Sequence, residues 1–293
     1  MKTSDIFKHK TVFSLEIFPP RPDADESVIY DTLDGLTGIS PDFISVTYGA
    51  GGGKNGQRTI KIASDIKYRY GVESVAHLPC IGLTKEQARG ILDNMKQRGI
   101  ENVLALRGDI PKGETPKGDF KHASDLITFI KENYDMSILA ACYPEVHPES
   151  RSSLDDIRWL RHKIDCGADH LITQLFLDNR YFYSFREKAA LAQMENIPVE
   201  AGIMPVTNKR QIERMVKMCG VDLPKRFIRI LEKFEHDPAA LRDAGIAYAI
   251  DQITDLIAEG ADGIHLYTMN DPLVAGRIYE AVRNLIPSHS LVS

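Results

Sequence analysis

Eight short β-rich runs alternate with longer amphipathic stretches along the whole chain, and that alternation narrows the possible folds more than any other feature. The runs are VFSLEIF (12–18), DFISVTYG (42–49), SVAHLPC (74–80), NVLALRG (102–108), SILAACYP (137–144), HLITQLF (170–176), VEAGIMP (199–205) and GIHLYTM (263–269). The stretches between them carry helix signals. Thr84-Lys-Glu-Gln predicts a capping box, and the helix it opens ends at Arg98-Gly99 with glycine just past the last turn. Ile157, Leu160, Ile164 and Ala168 repeat at three and four, predicting a helix that stops at Cys166-Gly167. In the longer gap before the last strand, two helices are expected: about 208–219, then 224–234 running on past His236-Asp237-Pro238. Apolar strands separated by helices pair in parallel, because a parallel neighbour needs a crossover that covers the sheet. Eight such units predict an α/β fold, the (β/α)8 TIM barrel. No linker-like or charge-blocked stretch divides residues 1–293, so one domain is expected.

Composition removes several function classes. A formal net charge of −5 gives no basic surface for nucleic acid. No apolar run is long enough to span a bilayer, and the basic start lacks the apolar core of a signal peptide. Cys80, Cys142, Cys166 and Cys219 are widely spaced, which argues against structural zinc and disulfides and for a cytoplasmic protein. H-E-x-x-H and G-x-S-x-G do not occur, no compact metal-ligand spacing appears, and no strand end supplies a Schiff-base lysine.

A barrel builds its active site at the carboxyl ends of its strands. Those ends carry Glu16, Thr47-Tyr48, His77, Arg107-Gly108-Asp109, Tyr143 followed by Glu145 and His147, Gln174 and Tyr267. Each has an ordinary explanation when taken alone. Glu16 could be a solvated strand-end carboxylate, His77 a hydrogen-bonded core histidine, Arg107 and Asp109 a local ion pair, and Tyr143 a packing aromatic. Gln174, between Thr173 and Leu175, resists such a reading, because a buried amide needs partners or a ligand. Gathered on one face, these groups predict a site. The stretch Gly51 to Gly56 matches G-x-G-x-x-G, but no acid ends the next strand to hold a ribose, so a loop on the barrel's upper face is expected instead.

The blocks SLEIFPPR, SVTYG, AHLPC, ALRGDIP, AACYPEVHPE, ITQLF and GIMPVTN, in this order across about residues 12 to 270, resemble methylenetetrahydrofolate reductase in its short bacterial form. The resemblance implies a barrel that binds FAD and uses NADH or NADPH to reduce 5,10-methylenetetrahydrofolate to 5-methyltetrahydrofolate, in a ping-pong sequence. It implies Glu16 as the general acid at folate N10 and Asp109 as a carboxylate beside flavin and folate. Folate contacts would be Glu16, Gln174 and Gln211. Flavin contacts would be Thr47, Tyr48, His77, Leu106, Arg107, Gly108, Asp109, Ala123, Tyr143, His147, Asp156 and Lys163. A homo-oligomer is also implied. Three residues depart from the family pattern: His162 in place of an arginine, Met215 in place of an aromatic, and Asp271 in place of a basic residue facing the folate tail. The alternatives are another barrel enzyme, such as a cofactor-free lyase or a methyltransferase-like folate domain, and a catalytically idle binding module.

Overall fold

A computed structural model describes residues 1–21, 23–48, 53–110 and 118–286. Its strands are β1 (Val12–Ile17), β2 (Phe43–Val46), β3 (Glu73–Pro79), β4 (Asn102–Leu106), β5 (Ser137–Cys142), β6 (His170–Thr173), β7 (Val199–Ile203) and β8 (Gly263–Tyr267). They pair in parallel in sequence order, and β8 closes on β1. The predicted (β/α)8 barrel is what forms, with each strand inside its predicted run or within a residue of it.

The helices are α1 (Thr3–Ile6), α2 (Ser27–Gly35), α3 (Gly53–Arg69), α4 (Lys85–Gln97), α5 (Ala123–Asn133), α6 (Ser153–Asp165), α7 (Asn179–Leu191), α8 (Lys209–Cys219), α9 (Lys225–Phe234), α10 (Pro238–Ala258) and α11 (Pro272–Val282). The capping box at Thr84 is present in full, and Gly99 takes the left-handed φ of 71° expected after α4. One expectation is corrected. The second helix of the long gap does not run on past Pro238. Asp237 caps the backbone N–H groups of Ala239 and Ala240, Pro238 takes the first turn, and a separate 21-residue helix begins there. The G-x-G-x-x-G stretch lies partly outside the described residues; from Gly53 it opens α3.

Alternation along each strand sends every second side chain into the barrel. The amino-terminal end is packed with Val12, Phe43, Val75, Leu104, Leu139 and Ile172, and Ile6 and Phe7 around α1 plug it from below. Outward-facing residues such as Leu15, Ile44, Ala76, Val103, Ile138 and Leu171 pack under the helices. A separate apolar cluster of Leu175, Met204, Ile212, Phe227, Leu231 and Leu241 seats α8, α9 and α10 beside the ends of β6 and β7.

Candidate active site

The carboxyl ends of the strands open into a cavity of about 740 Å³. Of the residues predicted for the site, Glu16, Thr47, His77, Leu106, Tyr143, Gln174 and Gln211 line it, together with Tyr267 and Met215. Its walls are mainly apolar, formed by Leu104, Leu106, Ala141, Ile172 and Met204, and its polar groups are few.

Glu16 sits on the cavity floor, almost fully buried at 7% exposure. The backbone there is held from β8. Thr268 Oγ1 donates to the Glu16 carbonyl at 2.7 Å. Asn270 brackets Phe18, its Nδ2 donating to the Phe18 carbonyl at 2.8 Å and its Oδ1 accepting the Phe18 N–H at 2.9 Å. The carboxylate itself meets two imidazoles, with Oε2 lying 3.4 Å from His77 Nε2 and 3.5 Å from His265 Nε2. The His77 contact lacks hydrogen-bond alignment, leaving that buried nitrogen without a partner. Burial pushes His77 down to about 4, outweighing the pull of Glu16, so its ring is neutral near pH 7. No lysine or arginine pairs with Glu16 among the described residues.

The other strand ends are equally fixed. Tyr267 is buried, and its hydroxyl donates to the Thr173 carbonyl at 2.7 Å. Gly202 makes that possible, since a Cβ there would meet the tyrosine ring edge at 2.9 Å. Tyr143 packs edge-on against His147 with ring centroids 4.6 Å apart, and burial raises its phenol. Glu145 is pushed up to about 7, first by burial, although its Oε2 accepts the Asp222 N–H at 2.8 Å.

A second group of predicted residues lies outside the cavity lining, with Asp156 and Lys163 on α6. Asp156 accepts from the His147 N–H at 3.2 Å and from Ser150 Oγ at 2.8 Å. Lys163 Nζ donates to the Ala141 carbonyl at 2.9 Å, and burial lowers its affinity for the proton. Arg107 makes a two-pronged pair with Glu149, at 2.5 and 2.8 Å. Gly108 has φ 87°, and a Cβ there would come 2.9 Å from Pro79 Cβ, so only glycine fits this turn. Asp109 is exposed beyond it, close enough for its charge to act on Arg107 and Tyr143. Ala123 is the buried first residue of α5, and Tyr48 is half-buried, its phenol raised by burial.

Comparison with known proteins adds to this geometry. The sequence matches the family model of methylenetetrahydrofolate reductase over residues 2–283. The chain belongs to the methylenetetrahydrofolate reductase family. The 5,10-methylenetetrahydrofolate reductase of Pectobacterium carotovorum is 38% identical over 88% of this chain and 85% of its own length. The enzyme of Escherichia coli is 37% identical over 88% of this chain and 86% of its own. The Arabidopsis thaliana protein named methylenetetrahydrofolate reductase (NADH) 1 is 33% identical, and this chain spans 46% of it. A Clostridium thermocellum protein described as binding two copies of 5-methyl-5,6,7,8-tetrahydrofolic acid shares the fold, with TM-score 0.65, 12% identity and coverage of 97% and 99%.

Within this reductase fold, two of the departures from the family pattern have a local account. Asp271 caps α11, accepting the Val274 N–H at 3.1 Å ahead of Pro272. His162 lies edge-on to exposed Trp159, which in turn stacks on His122. Met215 lines the cavity wall, and nothing in the structure explains why a thioether stands there. Sequence reading missed His265, because it looked for chemistry at strand ends. His265 is mid-strand, two residues before Tyr267, and the period-two alternation that pairs it with Ser14 was the available signal.

Proposed function

We propose that the chain reduces 5,10-methylenetetrahydrofolate to 5-methyltetrahydrofolate with electrons from NADH or NADPH through bound FAD. Family membership supports the reaction. The observation that carries the mechanism is Glu16, buried on the cavity floor with two imidazole nitrogens and no fixed cation around it.

The residues present fit a flavin. The apolar walls suit a flat ring system, and Thr47, His77 and Gln174 offer polar groups at its edges. His77 Nε2 is a buried polar atom without a hydrogen-bond partner. On the rim, Lys163 uses one of its three N–H groups on Ala141, leaving the others for an anionic group such as a pyrophosphate. Leu106, Tyr143, His147, Asp156, Arg107, Gly108, Asp109, Tyr48 and Ala123 would complete the cofactor's surroundings. When bound, FAD supplies the two-electron chemistry, accepting from NAD(P)H and giving to the folate.

The protein's own part is acid catalysis and orientation. The methylene bridge of the folate accepts electrons only after N10 is protonated and the five-membered ring opens to an iminium cation. Glu16 gives that proton, directly or through a water. Its place on the cavity floor, with no lysine or arginine paired to it among the described residues, suits a proton donor. Asp109 favours the cationic intermediate electrostatically. Gln174 and Gln211 hold the folate ring system by hydrogen bonds. Several copies of the chain assemble in the cytoplasm.

Anaerobic spectroscopy tests the reading. The purified protein is expected to be yellow, to bleach with NADH or NADPH, and to recolour on adding methylenetetrahydrofolate. A colourless protein that rejects FAD, or a bleached one that the folate leaves colourless, would sink it.

A further inference from the structure

One buried carboxyl has no part in the chemistry above. Glu200, second in β7, points into the barrel with 0% of its surface exposed. Its partner across the β7–β8 ladder is Gly263, where a Cβ would come 2.8 Å from Glu200 Cγ. A larger residue there would displace the carboxyl. Glu200 Oε1 lies 2.6 Å from Ser14 Oγ, which lies 2.6 Å from His265 Nδ1. The other nitrogen of that ring, Nε2, faces Glu16 Oε2 at 3.5 Å. One hydroxyl and one imidazole therefore join a carboxyl sealed inside the barrel to the carboxyl on the cavity floor.

The titratable groups around this line are His265 and Tyr267 on β8, Glu16 on β1, His77 on β3, His170 on β6 and Asp42 just before β2, which pairs with Lys10 at 2.9 Å. Among the described residues, no lysine or arginine pairs with Glu200 or Glu16. Burial raises Glu200 well above the usual carboxylate range, outweighing the pull of a Ser14 hydrogen bond to the ionised form; the Asp42 charge adds a smaller push upward, and Glu200 Oε2 has no partner. A neutral carboxyl is a donor. With its proton on Oε1 it donates to Ser14, Ser14 passes its own hydrogen to His265 Nδ1, and the single ring proton must then sit on Nε2, facing Glu16.

We propose that Glu200 is a positioning residue, a neutral acid that fixes through Ser14 the His265 tautomer presenting an N–H to Glu16, and so stabilises the carboxylate left when Glu16 gives up its proton. This rests on the reading of Glu16 as the proton donor. The contact of 3.5 Å would shorten as negative charge forms on Glu16, since apo hydrogen bonds of this kind tighten in the reacting complex.

The test follows bleaching by NAD(P)H and recolouring by methylenetetrahydrofolate separately, across pH, in Glu200→Leu, Glu200→Gln, Ser14→Ala and Glu16→Gln. Losing a hydrogen bond to a charged group predicts recolouring about tenfold slower in Glu200→Leu and in Ser14→Ala, with bleaching unchanged. Without the N–H the Glu16 carboxylate is less favoured, so the alkaline fall in recolouring rate moves to higher pH in both. Glu200→Gln, whose amide still donates to Ser14, is expected to recover the parent rate and profile. The Glu200→Leu/Ser14→Ala double variant should be no slower than either single one. Ser14→Ala leaves Glu200 in place and keeps the test open if Glu200→Leu does not fold. Equal slowing of both half-reactions, a Gln variant as slow as the Leu variant, or normal recolouring in Ser14→Ala would overturn the proposal. If Glu16→Gln is slow while Ser14→Ala is normal, only the relay falls. If Glu16→Gln itself recolours normally, the parent reading fails with it.

Discussion

The two sides of the barrel interior are built from the same strand geometry and differ in chemistry. Toward β4, β5 and β6 the inward residues include Leu104, Leu139 and Ile172, part of an apolar plug that includes Phe7 and Phe43, with buried His170 packed against both rings. Toward β7, β8, β1 and β3 they are Glu200, His265, Ser14, Glu16 and His77, all buried. The apolar side contributes stability simply by leaving water. The polar side gives up part of that contribution, and leaves Glu200 Oε2 and His77 Nε2 without hydrogen-bond partners, in exchange for a fixed path between titratable groups. The difference separates what holds the barrel closed from what the barrel does.

That separation predicts which property each substitution moves. On the polar side, Glu16→Gln should retain FAD and bleach with NAD(P)H within about twofold of the parent. Its recolouring by methylenetetrahydrofolate should slow by about 10² to 10⁴, the usual contribution of a general acid. On the apolar side, Leu139→Ala should cost about 2–5 kcal/mol in denaturant unfolding, as large-to-small core changes do, and leave the pH profile of recolouring in place. Asp109→Asn should slow recolouring more than bleaching, but less than Glu16→Gln does, because its carboxylate is exposed. Equal loss in both half-reactions would remove it from the folate step.

Two smaller effects probe buried groups at the margins of the comparison. His170, with both ring nitrogens buried and unpartnered against Phe7, is pushed down to about 3 by burial. Between its ordinary 6.5 and that value the unfolded chain binds the proton and the folded chain does not, so stability falls as pH falls. His170→Leu should flatten that slope and gain about 1–3 kcal/mol by removing the unpaired polar atoms. Glu145 works in the opposite sense. Its folded form is raised from 4.5 to about 7, so the folded chain binds more protons in that window and stability falls as pH rises. Glu145→Gln should remove this decline, the smallest effect of the five, as seen in unfolding curves at pH 5 and pH 7.

The barrel was legible in the sequence because β-rich runs, Thr84 and Gly99 each carry local signals that tertiary packing did not override. The ring of strand ends around the cavity was legible for a different reason. Once the strands are parallel, their carboxyl ends must meet, and Glu16, His77, Tyr143 and Gln174 follow. Ser14, Glu200 and His265 were not legible as a group. Glu200 and His265 lie 186 and 251 residues from Ser14 along the chain, and only barrel closure and register bring the three side chains together. The start of α10 carried a readable signal, Asp237-Pro238, but a charged turn between two amphipathic stretches reads equally well as one bent helix. On the rim, Arg107, Gly108, Asp109 and His147 follow from the strand ends as well, whereas Asp156 and Lys163 on α6 and Ala123 on α5 were assigned by family resemblance alone.

The central claim is that Glu16 holds and delivers the proton of the folate step. Its most direct test is the pH dependence of recolouring in the parent protein and in Glu16→Gln under anaerobic, single-turnover conditions. The account predicts an alkaline fall in the parent rate, and a slow residual rate in Glu16→Gln that shows no such fall. The same fall at the same pH in Glu16→Gln would mean that another group supplies the proton.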